Sequence, residues 1–500
     1  MMNLKQQASN STLRKVHTGI EGFDEITEGG LPYGRPTLVC GDAGCGKTLF
    51  SMEFLVRGAV QYNEPGVFMS FEETETELTT NVASLGFDLE DLVKRKKIFL
   101  DHVQIERSEI EETGEYDLQA LFIRLDHAIK KVKAKRLVLD TIESLFSGLP
   151  NPAILRAELR RLFRWLKDKK VTVIITGERG DGGYTRQGME EYVSDCVIML
   201  DHRIIEQVST RRLRVVKYRG SVHGTNEYPF LIDKNGISVF PITSLTLDHN
   251  VSEERISSGI TELDSMLEGK GFFRGSTVLI SGSTGTGKTS MAAQMTHASC
   301  QRGERVLYFA YEESPKQIMR NMRSIGIHLE QWVKKGLLKF HATRPTFYGL
   351  EMHLAAILKD INDYDPKVVI VDPLNSFTTP FNELETKSLS VKLIDFLKSR
   401  QITGFFTVLS TVELPEQTTI YISSLIDTWL ILRDIEVNGE RTRGLHILKS
   451  RGMAHSNRVR KYLITGNGIL FNKDYIDQEY VSTRQQKPKG SSPGKVKVNK

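Results

Sequence analysis

Short apolar runs alternate with longer amphipathic segments along most of the 500-residue chain. Residues 171–175 and 368–371 are apolar runs with the length of buried strands. Residues 156–167 instead repeat their apolar positions at helical spacing, and basic residues lie opposite an apolar face formed by Leu159, Leu162, Phe163 and Leu166. Strands that alternate with helices are typical of a mainly parallel sheet covered by helices. The pattern therefore predicts an α/β fold.

The second half of the chain repeats the first. Five sequence elements recur in the same order at offsets of 232 to 241 residues: residues 17–20 and 257–260, 41–48 and 282–289, 70–73 and 310–313, 137–140 and 369–372, and 217–220 and 449–452. Such a repeat indicates a tandem duplication. We predict four segments: a tail at residues 1–14, a first domain at 15–245, a second domain at 246–476, and a disordered Lys-rich tail at 477–500.

Composition narrows the class of protein. With 39% apolar and 26% charged residues, the chain has the balance of a soluble globular protein. No window reaches the roughly 18 apolar residues of a membrane span, and the first residues carry no secretory signal. A net charge of +5 is too balanced to favour nucleic acid as a partner. The cysteines lack paired metal-ligand spacing, so we expect a cytoplasmic protein with four reduced thiols: Cys40, Cys45, Cys196 and Cys300.

Two glycine-rich loops follow apolar strands at residues 37–40 and 277–281. The pattern Gly-x4-Gly-Lys-Thr lets successive N–H groups converge on phosphate oxygens at the N-terminus of a helix. We expect the lysine of each loop to neutralise the β- and γ-phosphates. The first candidate ATP-binding set is Gly41, Asp42, Ala43, Gly44, Cys45, Gly46, Lys47 and Thr48, and the second is Gly282, Ser283, Thr284, Gly285, Thr286, Gly287, Lys288 and Thr289.

Candidate ligands for Mg²⁺ accompany each loop. Thr48 and Thr289 supply the hydroxyl that binds Mg²⁺ in this loop pattern. Asp140 and Asp372 each end a short apolar strand, which places a carboxylate at the edge of the sheet beside the loop. Each aspartate precedes a recurring Lys-x-Arg-Gly element by 77 residues. Because the spacing is the same in both halves, we interpret the aspartates as Mg²⁺ ligands rather than as turn residues.

Paired glutamates follow a second strand in each half, at Glu72 and Glu73 and at Glu312 and Glu313. A carboxylate near a γ-phosphate polarises an attacking water or hydroxyl, which is the task of a general base in phosphoryl transfer. Adjacent side chains on an extended segment point in opposite directions, so one member of each pair faces the nucleotide. The alternative interpretation is an acidic pair that complements a helix dipole.

A cationic element, Lys-x-Arg-Gly-x-x-His, recurs near the end of each half. Two cations and an imidazole around a glycine, in a chain with two nucleotide loops, indicate a clamp for phosphate or for a transition state. In ring-forming ATPases such a clamp often reaches in from the next subunit. A solvated basic turn is the alternative. The candidates for ATP binding in trans are Lys217, Tyr218, Arg219, His223, Lys449, Ser450, Arg451 and His455.

Together these residues resemble the KaiC family of tandem RecA-like ATPases and autokinases, known from the cyanobacterial circadian clock. The resemblance extends to about residue 476 and rests on the duplicated Thr/Ser-Gly-Ile opening, the phosphate loops, the glutamate pairs and the Lys-x-Arg-Gly-x-x-His elements. It implies two tandem RecA-like P-loop domains in a double-ring homohexamer, with Mg-ATP bound between subunits. The first domain is then expected to be a slow ATPase, and the second an autokinase and autophosphatase.

The resemblance also implies a pair of phosphoacceptors. The family places adjacent Ser and Thr residues shortly before an Asp-Thr pair, and here Ser423 and Ser424 precede Asp427 and Thr428. The second acceptor is therefore a serine, which lacks the β-branch that restricts a threonine rotamer. By the same resemblance Glu312, the first of its pair, matches the family's general base.

The C-terminal tail departs from the family. The activator KaiA docks on the family's C-terminal segment, so the Lys-rich end of this chain does not favour a KaiA-like partner. A KaiB-like partner on the first domain fits the resemblance better, with the acidic residues 106–117 in the expected place. The function predicted is a timing or stress-signalling switch. A DNA-dependent ATPase of the RecA or hexameric-helicase kind stays open as an alternative, with a candidate channel surface at Arg156, Arg160, Arg161 and Arg164.

Overall fold

Two nine-stranded sheets, one in each half of the chain, form the framework of the protein. A computed structural model describes residues 13–103, 118–146, 152–180, 183–185, 194–205, 208–241, 251–344, 349–377, 383–410, 422–437 and 440–476. The chain divides into two units, Met1–Leu245 with Glu351–Lys359, and Thr246–Leu350 with Asp360–Lys500.

The sheet of the first domain is mainly parallel. Its parallel strands are β3 (Pro36–Gly41), β4 (Gly66–Ser70), β5 (Ile98–His102), β6 (Arg136–Asp140), β7 (Thr172–Glu178) and β8 (Cys196–Ile205). Three antiparallel strands continue it: β9 (Val208–Tyr218), β10 (Glu227–Asp233) and β11 (Gly236–Val239). The order across the sheet is β11-β10-β9-β8-β3-β7-β6-β4-β5. A separate pair is formed by β1 (Lys15–Val16) and β2 (Leu31–Pro32).

Helices connect the parallel strands of the first domain. They are α1 (Phe23–Ile26), α2 (Lys47–Gln61), α3 (Glu75–Ala83), α4 (Leu89–Lys94), α5 (Gln119–Val132), α6 (Ile142–Phe146) and α7 (Pro152–Lys169). Both faces of the sheet are buried, because Val138 of β6 packs in one apolar cluster while its neighbours Leu137 and Leu139 pack in another. This explains why the strands appear in the sequence as continuous apolar runs rather than as alternating patterns.

The second domain repeats this arrangement. Its parallel strands are β14 (Thr277–Gly282), β15 (Val306–Ala310), β16 (Leu338–Ala342), β17 (Val368–Asp372), β18 (Thr403–Leu409) and β19 (Thr428–Val437). The antiparallel strands are β20 (Glu440–Ser450), β21 (Val459–Thr465) and β22 (Gly468–Ile476). The order is β16-β15-β17-β18-β14-β19-β20-β21-β22, and β12 (Arg255–Ile256) pairs separately with β13 (Phe272–Phe273).

The helices of the second domain follow the same plan. They are α8 (Thr261–Met266), α9 (Lys288–Gln301), α10 (Pro315–Arg323), α11 (Glu330–Lys334), α12 (Leu350–Tyr364), a 3-10 helix (Leu374–Phe377) and α13 (Glu383–Ser399). Within the described parts of the chain, no helix is both long enough and apolar enough to cross a membrane.

The predicted fold class is confirmed: two tandem α/β domains, each with a mainly parallel sheet. The amphipathic pattern at residues 156–167 lies within α7, and its four apolar side chains are all buried. The apolar run at 171–175 begins one residue before β7, which then continues through Thr176 to Glu178. The exact limits of the predicted domains stay predictions, as does the hexamer.

Candidate nucleotide-binding sites

Each glycine-rich loop joins the central strand of its sheet to a long helix. The first loop (residues 41–48) connects β3 to α2, and the second (residues 282–289) connects β14 to α9. Gly46 and Gly287 precede these helices with φ values of 107° and 92°. A residue with a side chain would be strained in this conformation, whereas glycine is not. Gly41 lies so close to the next strand that a Cβ atom there would be 2.2 Å from the carbonyl oxygen of Leu200. The backbone of the loop therefore requires glycine at these positions.

The loop lysines point back to their own loop. Lys47 Nζ donates to the carbonyl oxygens of Gly41 and Asp42 at 2.9 and 3.0 Å. Lys288 Nζ makes the equivalent bonds to Gly282 and Ser283, both at 2.9 Å, and burial lowers the pKa of Lys288. Each ammonium group is thus held at its loop by two carbonyl oxygens, and a phosphate oxygen, which is a stronger acceptor, can replace them.

The remaining loop residues divide into exposed and buried positions. Asp42, Ala43, Gly44, Thr284 and Gly285 are exposed, and Ser283 is half-buried. Cys45 and Thr286 are buried instead. The Thr286 hydroxyl donates to the carbonyl oxygen of Ser283 at 2.8 Å, and burial raises the pKa of the Cys45 thiol. These two side chains lie beneath the loop and support it, so we expect the backbone at these positions, rather than the side chain, to contact phosphate.

In the first domain the two candidate Mg²⁺ ligands are in direct contact. Thr48 Oγ1 donates to Asp140 Oδ2 at 2.8 Å, and Thr176 Oγ1 donates to the other carboxylate oxygen. Burial raises the pKa of Asp140, and the two hydroxyl hydrogen bonds oppose that effect. A hydroxyl and a carboxylate placed together beside a phosphate loop are the oxygen ligands that Mg²⁺ takes in nucleotide sites. The residues present therefore fit this ion.

The second domain holds its aspartate differently. Asp372 Oδ2 accepts a hydrogen bond of 2.6 Å from Tyr308, which is fully buried, and Thr407 donates to Oδ1. Burial and the charge of Asp372 raise the pKa of Tyr308 well above its usual value. The first domain has Phe68 at the position of Tyr308. Sequence analysis missed this tyrosine, and the only available signal was the Phe-to-Tyr difference between the repeats.

The members of each glutamate pair have different surroundings. Glu72 accepts hydrogen bonds from Thr141 Oγ1 at 2.9 Å and from Ser144, both beyond the end of the strand that carries Asp140. Glu73 is partly buried and interacts with Asn81 of α3, at 3.4 Å. Among the described residues, its second carboxylate oxygen has no hydrogen-bond partner. Burial, together with the charge of Asp140, raises the pKa of Glu73.

The second pair repeats these contacts with one difference. Ser376 donates to Glu312 at 3.2 Å, and Asn321 donates to Glu313 at 3.2 Å. Pro373 stands where the first domain has Thr141, so the second hydroxyl donor is missing. Sequence analysis did not identify the serine, threonine and asparagine donors, because the segments that supply them carry no motif of their own.

In the first domain the Lys-x-Arg-Gly element begins with the last two residues of strand β9. Arg219 is exposed, and its guanidinium lies 3.7 Å from Asp195. Lys217 and His223 are half-buried, and the His223 ring stacks on Tyr218. The Tyr218 side chain is buried and donates to the carbonyl oxygen of Gly30 at 2.8 Å. That side chain is part of the core of its own domain, so only its backbone is available to a neighbouring nucleotide.

In the second domain the same element contacts the predicted phosphoacceptors. Lys449 Nζ donates to the carbonyl oxygen of Ser423 at 2.7 Å, and Arg451 donates to that of Ser424 at 2.6 Å. Both serine side chains are exposed. Burial and the nearby Arg451 lower the pKa of Lys449. The structure therefore brings together two groups that the sequence presents separately.

The other two members of this element lie apart from that contact. Ser450 is buried, and its hydroxyl is 3.0 Å from that of Thr428. His455 is half-buried. The acidic residues 106–117 and the tail at 477–500 lie outside the described residues.

Comparison with known proteins assigns the chain to a family. A family model described as "ATPase: KaiC" matches residues 16–244 and again residues 256–475. The chain is 58% identical to the circadian clock protein KaiC2 of Synechocystis sp. over 487 residues, covering 97% of this chain and 86% of the relative. It is 39% identical to the circadian clock oscillator protein KaiC of Parathermosynechococcus lividus over 471 residues, covering 93% and 87% of the two chains. For KaiC of Synechococcus elongatus the identity is 37% over 472 residues, covering 94% and 91%.

The two matches of the family model coincide with the two phosphate-loop domains seen in the fold. The relatives extend the likeness over nearly the whole chain. The resemblance noted from the motifs is confirmed, and with it the expectation of ATP as the bound nucleotide. The chain belongs to the KaiC family of ATPases.

Proposed function

We propose that this protein is an ATP-dependent serine autokinase and autophosphatase with a slow ATPase activity, acting as a homohexameric timing or stress-signalling switch. The observation that carries this proposal is the contact between the Lys449 and Arg451 side chains and the backbone of Ser423 and Ser424. Two exposed hydroxyls lie beside two cations of the kind that bind phosphate. A phosphoryl acceptor and the groups that guide a phosphoryl donor therefore share one surface.

The first domain supplies the ATPase chemistry in this proposal. Lys47 and the loop amides bind the phosphates, while Thr48 and Asp140 hold Mg²⁺. Held by Thr48 and Asp140, this ion would supply positive charge to offset that of the phosphate groups. Glu72 orients the attacking water, since Thr141 and Ser144 fix its carboxylate. Glu73, the other member of the pair, accepts a hydrogen bond from Asn81 of α3.

The second domain transfers the phosphoryl group to serine. Lys288 binds the phosphates, and Thr289 and Asp372 would hold Mg²⁺. The serine Oγ forms a bond to the γ-phosphorus while the bond to the ADP oxygen breaks, and Glu312 takes the hydroxyl proton. The choice of Glu312 over Glu313 follows the family resemblance, since each carboxylate accepts one hydrogen bond of 3.2 Å.

In the hexamer, the cationic elements act on the nucleotide of a neighbouring subunit. Those of the first domain are Lys217, Arg219 and His223, and those of the second are Lys449, Arg451 and His455. Charge-assisted contacts of this type stabilise the transition state of phosphoryl transfer when they are supplied from outside the loop. A phosphate on Ser423 or Ser424 adds about two negative charges at the subunit boundary and changes its packing.

Partners follow from family membership. We propose a KaiB-like protein on the first domain and no KaiA-like activator on the Lys-rich tail. A pull-down with a KaiB-like protein against the first domain alone and against the whole chain tests this assignment. Binding to the whole chain but not to the first domain alone contradicts it.

The kinase proposal is tested by intact mass of the purified protein after incubation with Mg-ATP, followed by peptide mapping. We expect added phosphate on the peptide that contains Ser423 and Ser424, and none on a variant with both serines changed to alanine. A matched control replaces Ser399, a serine at the end of α13 whose hydroxyl bonds to Phe396, and leaves the labelling unchanged.

Other outcomes identify other functions. Labelling that persists in the double alanine variant overturns the site assignment. A chain that hydrolyses ATP without gaining phosphate is a tandem ATPase and not a kinase. If single-stranded DNA then stimulates its hydrolysis with a steep salt dependence, the DNA-dependent ATPase replaces this proposal.

A further inference from the structure

The turn that carries the two candidate phosphoacceptors is anchored on both sides. We call residues 422–427 the acceptor turn. Lys449 and Arg451 approach it from the exposed side, as described above. A second set of donors approaches from the sheet side, and nothing in the sequence motifs points to them.

Asp427 is the acceptor on which this second set of donors converges. Its carboxylate accepts from the backbone N–H and the hydroxyl of Thr277, each at 2.9 Å. Lys398 Nζ, from the last turn of α13, lies 3.0 and 2.9 Å from its two oxygens. Asp427 also pairs through its backbone, with its N–H bonded to Thr277 and its carbonyl oxygen to the N–H of Arg451.

The same donors hold the main chain of the turn. The carbonyl oxygen of Leu425 accepts from Lys398 Nζ at 3.1 Å and from the Thr277 hydroxyl at 3.2 Å. The carbonyl groups of three successive residues, 423 to 425, are thus each bound by a side-chain cation. None of these contacts uses a serine hydroxyl. The hydroxyls are left for reaction while the backbone beneath them is fixed.

The three cations differ in their exposure and therefore in how readily their hydrogen bonds to the turn can be broken. Arg451 is exposed and Lys449 is half-buried, and each gives one bond to a carbonyl oxygen. A phosphate oxygen is a stronger acceptor than a carbonyl, so a nucleotide of a neighbouring subunit can draw both cations away. Lys398 is only 19% exposed and already pairs with the Asp427 carboxylate. Because separating a buried ion pair is costly, Lys398 stays bound to the turn when the other two cations leave it.

We propose that Lys398 is a positioning residue for phosphoryl transfer: through Asp427 and the Leu425 carbonyl it fixes the acceptor turn while Lys449 and Arg451 exchange between turn and nucleotide. The inference rests on the proposed kinase function and deepens it. A hydroxyl must be held within a few tenths of an ångström for in-line transfer, and a misplacement of about 1 Å lowers a rate by up to about 10²-fold.

The first domain offers a matched control within the same chain. Lys167, in the last turn of α7, pairs with the Asp195 side chain at 2.6 Å. The backbone carbonyl oxygen of Asp195 accepts a hydrogen bond of 2.8 Å from the backbone N–H of Arg219. The pair corresponds to Lys398 and Asp427. Residues 191 and 192, which correspond to the two serines, are Glu and Tyr. A corresponding Lys–Asp pair is thus present in a domain that has no acceptor pair.

The test uses the full chain with saturating Mg-ATP and compares Lys398→Met, Lys398→Arg and Lys167→Met. The initial rate of phosphorylation and the ratio of phosphate on Ser423 to that on Ser424 are read from the peptides. We expect Lys398→Met to lower the rate at least about tenfold and to change the ratio, with the KM for ATP and the rate of hydrolysis within about twofold of the parent. Lys398→Arg can still donate to both Asp427 and the Leu425 carbonyl, so it should retain most of the rate. Lys167→Met should be phosphorylated at the rate of the parent.

Three other results would each contradict the positioning role of Lys398 or the kinase function on which it rests. If Lys398→Met keeps the parental rate and ratio, the inference is wrong although the kinase function stands. If it loses nucleotide binding, hydrolysis and phosphorylation together, Lys398 supports the fold and does not position the turn. If the parent protein gains no phosphate at all, the proposed function itself fails.

A second variant guards against a local folding defect. Thr277→Val removes the hydroxyl that bonds to Asp427 and Leu425 without changing the volume of a fully buried side chain. We expect a smaller loss in rate than for Lys398→Met and a change in the ratio in the same direction. A ratio that moves in the opposite direction contradicts a common anchor.

Discussion

Single side chains decide how firmly each acidic group of the sites is held. Glu72 receives two hydroxyl donors, Thr141 and Ser144, whereas Pro373 stands at the position of Thr141 in the second domain. A carboxylate with two fixed donors keeps one orientation toward water. A carboxylate with fewer donors has more freedom to follow a hydroxyl on another chain. The difference fits the hydrolysis proposed for the first domain and the group transfer proposed for the second.

Replacing Thr141 by valine tests the value of the first hydroxyl. A hydrogen bond to a charged group contributes about 1.5 kcal/mol, so we expect the hydrolysis rate of the first domain to fall about tenfold. Hydrolysis is measured in a Lys288→Met background, in which only the first domain binds nucleotide. Thr141→Ser keeps the hydroxyl and retains most of the rate. An unchanged rate in the valine variant means that Thr141 does not orient Glu72.

Glu53 is a buried carboxyl group on α2 that lies outside the reactive chemistry. It is fully buried, accepts the backbone N–H of Ile237 at 2.7 Å and pairs with Arg57 at 3.2 Å. Burial outweighs these contacts and raises the pKa of Glu53 to about 7. The equivalent position in α9 is Gln294. One repeat therefore has a titratable group where the other has a neutral one.

This pKa predicts a pH-dependent stability of the first domain. The carboxyl of the unfolded chain has a pKa of about 4.3, so the unfolded state ionises first as the pH rises. The stabilisation is fully present below about pH 4 and is lost progressively up to about pH 7, by as much as about 3 kcal/mol. Urea unfolding between pH 4.5 and 7.5 should show this slope, and Glu53→Gln should remove it. Gln294 is only half-buried, so we expect a smaller slope in the second domain for the reciprocal variant, Gln294→Glu, and a slope as large as that of Glu53 argues against burial as the cause.

At the scale of elements, each glutamate pair is followed directly by a capped helix. Thr74 accepts the N–H of Glu77 at 3.3 Å, and the Glu77 carboxylate accepts the N–H of Thr74 at 2.8 Å. Ser314 and Gln317 form the same capping box at the start of α10. The cap ends the extended segment that carries the pair and fixes where the helix begins. The Asn81 and Asn321 side chains then reach back from these helices to the second glutamate.

Removing a cap should loosen its helix measurably. We expect Thr74→Ala to lower the free energy of unfolding of the first domain by about 1 kcal/mol, because the helix loses its side-chain acceptor. Thr80→Ala, on the exposed face of the same helix, should change it by less than about 0.5 kcal/mol. Urea unfolding of the two variants and the parent measures both values. Equal effects of the two substitutions refute the role of the cap.

Strands and loops were predictable from the sequence because their signals are local. A buried parallel strand is a continuous apolar run, and β3, β6, β14 and β17 lie where such runs occur. The phosphate loops follow two of them. The donors to the acidic groups were not predictable, since they come from distant parts of the chain. Thr141 bonds to a glutamate 69 residues away, and Lys398 to an aspartate 29 residues away. Only the packing of the sheet brings these segments together.

At the scale of the whole molecule, the duplication predicts two nucleotide sites in every chain. Each loop is completed by its own lysine, Lys47 or Lys288, so the sites are separable by substitution. We expect Lys47→Met and Lys288→Met each to lower the bound nucleotide from two per chain to one, and the double variant to bind none. Nucleotide extracted from the purified protein is quantified by chromatography. Lys316→Met, which changes an exposed lysine of α10, serves as the control and should retain both.

A loss of both nucleotides in either single variant contradicts separable sites. It would indicate that occupancy of one loop is required for the other. The fold gives no reason to expect this within a chain, because each loop is built from strands and a helix of its own sheet.

The side-chain cations and Thr277 bond only to the main chain of the acceptor turn and to Asp427, and this has a practical consequence for the two serines. Every amino acid carries the same backbone carbonyl group. Lys449 and Arg451 can therefore make the same hydrogen bonds to alanine, threonine or aspartate at positions 423 and 424 as they make to the serines. Variants at these positions then form a series on a common scaffold, in which only the outward group changes. Differences in their behaviour report the charge and chemistry of that group rather than a rearranged backbone.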